Sequence, residues 1–186
     1  LLLVVVFTSL IFIIIIIFFF FLFFFTITIT IIIIIVVVVT TTTQLLRNRS
    51  TRSLWDASYV DASWLADNQL TAVANLIPRL KTWVATNYPG TLTGITEYNW
   101  GAESHINGAT AQADILGIFG REGLDIATRW TTPDPSTPTY KAMKLYRNYD
   151  GAKSTFGDVS VSATGPNPDN VAVFGAQRTA DGALTV

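Results

Sequence analysis

The first 46 residues carry no charge. Residues 1–43 are runs of Leu, Val, Ile, Phe and Thr with one Ser, and contain no Gly, Pro or Asn. A stretch this apolar is formally a transmembrane candidate. As one straight helix it would reach about 65 Å, twice the ~30 Å hydrocarbon core. No turn residue marks a point where it would fold into two spans. Its β-branched runs favour strand and aggregation over helix. It also lacks the initiator Met, basic n-region and small-residue cleavage site of a signal peptide. Arg47, Arg49 and Arg52 follow it, and as a span it would hold residues 47–186 in the cytoplasm. The run reads best as translated low-complexity sequence joined to a coding segment near Arg52. A membrane anchor and a degraded signal sequence are the alternatives.

All 12 Lys+Arg and all 13 Asp+Glu therefore fall in residues 47–186, where they make up about 18 % of the chain, ordinary for a globular domain. A net charge of −1 excludes a basic nucleic-acid footprint. The absence of Cys excludes a disulfide scaffold, a thiolate metal site and a Cys nucleophile. One His, His105, excludes a His-rich metal site. No metal or cofactor is expected.

From Arg52 onward the pattern is that of an α/β chain. Residues 75–87 read as a helix with Ile77, Leu80, Trp83 and Val84 on one face and Pro78 in its first turn. Leu92–Thr96 reads as a short strand ending at Glu97. A second helix is expected over Thr110–Glu122, capped by Gly123, with Ala111, Gly117 and Gly120 allowing close packing on a sheet. Leu124–Trp130 reads as the next strand. A third helix over Pro138–Tyr149 follows, with Thr137 as N-cap and Gly151 beyond its end. Phe156–Thr164 and Val171–Arg178 then alternate as antiparallel strands.

Two polar clusters sit at strand ends: Glu97 with Tyr98, Asn99 and Trp100, and Arg129 with Trp130. A carboxylate flanked by aromatics suits sugar chemistry, in which the carboxylate meets an oxocarbenium-like centre and aromatic faces stack on pyranose rings. A salt bridge between Glu97 and Arg129 is the structural alternative. Glu103 reads as a solvated loop carboxylate, and His105 as a loop hydrogen-bond donor. Trp55 and Trp64 are candidates for a cleft wall or a core. Asp56, Asp61 and Asp67 do not make a calcium-loop pattern.

The string ITEYNWGAESHINGATAQADILGIFGREGLDIATRW (95–130) resembles the nucleophile-bearing segment of glycoside hydrolase family 44. RSLWDASYVDASWLADN (52–68) and YKAMKLYRNYDGAKSTFGDVSV (140–161) resemble its flanking segments. The resemblance implies a retaining endo-β-1,4-glucanase or xyloglucanase, a secreted, extracellular enzyme acting on β-glucan polysaccharide. It implies an α/β fold, a partial TIM-like (β/α)8 barrel comprising the last two β/α units, followed by the start of an antiparallel β-sandwich. It makes Glu97 the nucleophile and Trp130, Tyr98 and Trp64 substrate-binding residues. The family's acid/base Glu lies before the stretch matching residue 52, so the chain is expected to be an inactive piece. The competing reading is a membrane-tethered carbohydrate-binding remnant. The expected divisions are residues 1–46 apolar, 52–155 partial barrel and 156–186 partial sandwich.

Overall fold

In the computed structural model of the chain, residues 17–23, 41–62 and 73–186 are described. Trp64 and most of the apolar run lie outside them. Contacts divide the chain into two units, Leu1–Thr43 and Gln44–Val186. In the first, residues 17–23 and 41–43 are helical. Among the described residues no helix is long and apolar enough to cross a membrane.

The second unit opens with helical residues 44–50, which tighten into a 3-10 turn over Thr51–Leu54. The Arg47 guanidinium donates to the Trp100 carbonyl (2.9 Å) and to Asn107 Oδ1 (2.5 Å). The Asn107 amide donates to the Gln44 carbonyl and to Asn48 Oδ1, at 3.2 and 2.7 Å. Trp100 Nε1 donates to Ser50 Oγ at 2.9 Å. Packing in this unit thus starts at Gln44, within the last residues of the charge-free stretch.

Helix α1, Leu76–Asn87, buries Ile77. Strand β1, Gly94–Tyr98, starts two residues later than the sequence suggests, because Thr93 is tied down by Asp125 instead: its amide and hydroxyl both donate to Asp125 Oδ2. Helix α2, Ile106–Glu122, starts four residues earlier than expected. His105 caps it, its Nδ1 accepting from the Asn107 amide at 3.1 Å, so this imidazole accepts where a donor was expected. Gly123 closes the helix in the left-handed conformation (φ 63°), as its position predicts. Strand β2, Ile126–Arg129, pairs with β1 in parallel. Helix α3, Pro138–Arg147, is capped by the Thr137 hydroxyl, which accepts from the Tyr140 amide.

Leu54, Ile77, Tyr98, Ile115, Ile118 and Phe119 form the core beneath the β1–β2 sheet. Each such side chain contributes about 1.5–3 kcal/mol by leaving water. The helix glycines serve different ends. A Cβ at Gly117 would lie 2.2 Å from the Phe174 ring, so this glycine admits a side chain from the segment between residues 161 and 175 that links two strands of the second sheet. A Cβ at Gly120 meets nothing within 4 Å, so close packing is not its role.

The remaining strands, β3 (Val159–Val161), β4 (Gly175–Gln177) and β5 (Leu184–Thr185), form an antiparallel meander in sequence order. The expected strand pairing is present, although the strands are shorter than the alternation suggests. The observed fold is mixed α/β, a parallel pair backed by helices and then a separate antiparallel sheet.

Candidate active site

Side chains alternate faces along a regular strand, so residues three apart point opposite ways. Ile95 and Tyr98 nevertheless both pack on the core, and the β1–β2 register shifts between them. This irregularity gives the extra residue that turns Tyr98 inward and leaves Thr96 and Glu97 exposed. Glu97 thus stands at the C-terminal end of β1, within the strand's last two residues. The Trp130 amide donates to the Tyr98 carbonyl at 3.0 Å, which seats Trp130 beside the same strand end. Its side chain is 58 % exposed. The peptide between Trp130 and Thr131 is cis.

Tyr98, expected to touch substrate, lies in the core. It is 5 % exposed, its ring meets Phe119 edge-on at 5.1 Å, and its hydroxyl accepts from Gln112 Nε2 at 3.0 Å. Burial pushes its phenol up from the ordinary value.

The anticipated Glu97–Arg129 pair is replaced by another. Arg129 Nη2 donates to Glu103 Oε1 at 2.7 Å and to Asn99 Oδ1 at 3.2 Å. Its Nε donates to Gln112 Oε1 at 3.2 Å, and its Nη1 to the Thr131 carbonyl. Asn99 Nδ2 donates to the Trp130 carbonyl and, at 3.2 Å, to Glu103 Oε1. Glu103 is therefore not simply solvated. The hydrogen bond from Arg129, then that from Asn99, holds its carboxyl below the usual range. Among the described residues no salt bridge engages Glu97. The sequence offers one cue to this network, an Arg directly before the strand-end Trp. It offers none for Gln112, which helical spacing alone assigns to a buried face.

Trp55, a candidate for core or cleft, packs against the core with the Arg121 guanidinium 4.2 Å over its ring. Among the described residues no group of three or more His, Asp or Glu could hold a metal ion.

No protein-family model matches the chain. It is 44 % identical over 131 residues to endoglucanase A of Paenibacillus lautus, covering 70 % of this chain and 19 % of that protein. The crystal structure of CelM2, a bifunctional glucanase-xylanase from a metagenome library, superposes with a TM-score of 0.72 at 72 % identity, over 76 % of this chain and 26 % of that one. Cel44A, a glycoside hydrolase family 44 endoglucanase from Clostridium thermocellum, superposes with a TM-score of 0.68 at 35 % identity, over 74 % of this chain and 27 % of that one. The chain belongs to glycoside hydrolase family 44. It spans about a quarter of the length of these two solved structures and about a fifth of the Paenibacillus endoglucanase. In this family-44 chain Glu97 and Trp130 are thus brought together at one sheet end, Tyr98 is withdrawn into the core, and Trp64 lies outside the described residues.

Proposed function

We propose that residues 44–186 belong to the catalytic module of a retaining β-1,4-glucan hydrolase, with Glu97 as the nucleophile and Trp130 as a sugar-stacking platform. The observation that carries this reading is the placement of Glu97 and Trp130 at the C-terminal ends of two adjacent parallel strands, both solvent-facing. In a β/α barrel this rim is where reacting groups stand. On this reading β1 and β2 are the last two barrel strands, and β3–β5 begin a β-sandwich. The exposed Ile126, 55 % accessible on β2, is then a position that further barrel strands would cover.

Chemically, the Glu97 carboxylate attacks the anomeric carbon and forms a glycosyl ester while the leaving oxygen takes a proton from a second carboxylic acid. Water then hydrolyses the ester with that second group acting as base. The two carboxyls must stand about 5–5.5 Å apart. Glu103 is unsuited to the second role because Arg129 keeps it ionised. The family resemblance puts the acid/base Glu before the stretch matching residue 52, so on this reading that group comes from outside residues 44–186 and the 186-residue chain alone is inactive. The substrate class is β-1,4-glucan or xyloglucan. A related Paenibacillus polymyxa xyloglucanase, 38 % identical with a TM-score of 0.67, was solved with xyloglucan. Such polymers are too large to cross a membrane, which supports an extracellular site of action.

The test is Glu97→Gln in the full-length enzyme carrying this segment. Turnover of cello-oligosaccharides should fall by at least about 10³-fold with binding retained. Near-normal turnover would overturn the assignment.

A further inference from the structure

We infer that Arg129 is a positioning residue that fixes the separation between Glu97 and Trp130, and that Glu103 is its anchor. The inference rests on the reading of those two residues given above.

Arg129 ends β2, and its side chain is 4 % exposed. A guanidinium so buried is costly unless its donors are satisfied. Here they reach four residues in three segments. Nε holds Gln112 on α2, and Gln112 in turn holds the Tyr98 hydroxyl on β1. Nη2 holds Asn99 and Glu103, the first and fifth residues of the loop between β1 and α2. Nη1 holds the carbonyl of Thr131, just past Trp130. Asn99 closes the ring by donating to the Trp130 carbonyl. Glu97 is followed at once by Tyr98 and Asn99, and Trp130 is flanked by Arg129 and Thr131. Each proposed reacting side chain thus hangs from backbone that this one planar fork holds. The loop is pinned a second time, since the Thr139 amide of α3 donates to the Glu103 carbonyl at 3.3 Å.

Lysine keeps the charge, but a single ammonium cannot span Gln112, Glu103 and the Thr131 carbonyl at once. A shift of about 1 Å between a nucleophile and a bound sugar ring can cost about 10²-fold in rate. Substrate affinity spread over many subsites changes far less.

The experiment measures kcat and KM on cello-oligosaccharides in the full-length enzyme for Arg129→Lys, Glu103→Ala, Glu103→Gln and Glu97→Gln, with folded fraction checked by near-ultraviolet circular dichroism. Arg129→Lys should lower kcat about 10²-fold with KM within about threefold. Glu103→Ala should lower kcat about tenfold. Glu103→Gln, which keeps an oxygen to accept from Arg129, should recover most of that loss. Should Arg129→Lys fail to fold, the Glu103 pair decides the matter, because that side chain is 38 % exposed and its removal leaves no hole. Normal kcat per folded molecule in Glu103→Ala, or equal losses in Ala and Gln, overturns the inference. An inactive Glu97→Gln beside a fully active Arg129→Lys overturns it alone. An active Glu97→Gln overturns the underlying catalytic reading instead.

Discussion

Asp114 should destabilise the fold at neutral pH, and replacing it with Asn should relieve this. Its carboxyl lies on α2 beside a cavity of about 170 Å³ lined also by Thr51, Trp55, Arg121 and Phe174. Burial is the leading influence and raises it from 3.8 to about 6. The Thr51 hydroxyl and the Arg121 charge pull it down only in part. Both are committed elsewhere: the Thr51 hydroxyl donates to the Asn48 carbonyl at 2.8 Å, and Arg121 pairs with Glu122 at 2.8 Å while lying over Trp55. Because the folded value exceeds the unfolded one, the native state holds a proton that the unfolded chain has released between pH 3.8 and 6. The stability from this group is full below about pH 3.8 and is lost as pH rises through 6. At about 1.4 kcal/mol per pH unit, the full effect is about 3 kcal/mol. Asp114→Asn should therefore gain about 1–3 kcal/mol at pH 7.5, a Tm rise of roughly 2–12 °C, and close to nothing at pH 4. Urea midpoints measured from pH 4 to 8 would follow this. No gain at pH 7.5, or the same gain at both ends, would refute the reasoning.

Gly108→Ala should cost more than about 3 kcal/mol, because its Cβ would lie 2.1 Å from the Ala102 carbonyl oxygen and backbone must move. Gly117→Ala, which meets the tiltable Phe174 ring, should cost about 1–3 kcal/mol, and the order of the two denaturation midpoints checks this. Tyr98→Phe should lose about 1–2 kcal/mol by orphaning Gln112 Nε2 while leaving KM unchanged. A KM rise of several-fold would return Tyr98 to the substrate. Trp130→Ala in the full-length enzyme should raise KM on cello-oligosaccharides about tenfold, as loss of a stacking face of about 1.4 kcal/mol requires.

Much of the architecture was legible because its signals are local. The cap at Thr137 and the stop at Gly123 each act within one or two turns, and the structure keeps both, whereas of the apolar face expected for Ile77, Leu80, Trp83 and Val84 only Ile77 is buried. What was not legible depends on partners distant in sequence. His105 belongs to no common N-cap class, so the first turn of α2 read as loop. Tyr98 reads as a rim residue on a regular strand, and only the register shift against β2 turns it inward. Glu103 reads as solvated until Arg129, 26 residues away, is brought beside it. Gln44–Leu46 reads as the tail of an apolar run and Arg47–Ser50 as its charged flank, yet Arg47, Asn48 and Ser50 find partners at Trp100 and Asn107. Glu97 was legible as a candidate because a carboxylate at the end of a parallel strand is a local pattern as well. The family strings then narrowed it to one role.

That role is tested most directly by trapping the covalent intermediate. The full-length enzyme is incubated with a 2-deoxy-2-fluoro-cellobioside bearing an activated leaving group, which forms the glycosyl ester faster than water removes it and needs little help from an acid. Peptide mapping by mass spectrometry then locates the sugar. The account predicts a single adduct on the peptide containing Glu97, absent in Glu97→Gln. An adduct on Glu103 or on a carboxylate outside residues 94–98, with Glu97 unmodified, would contradict it.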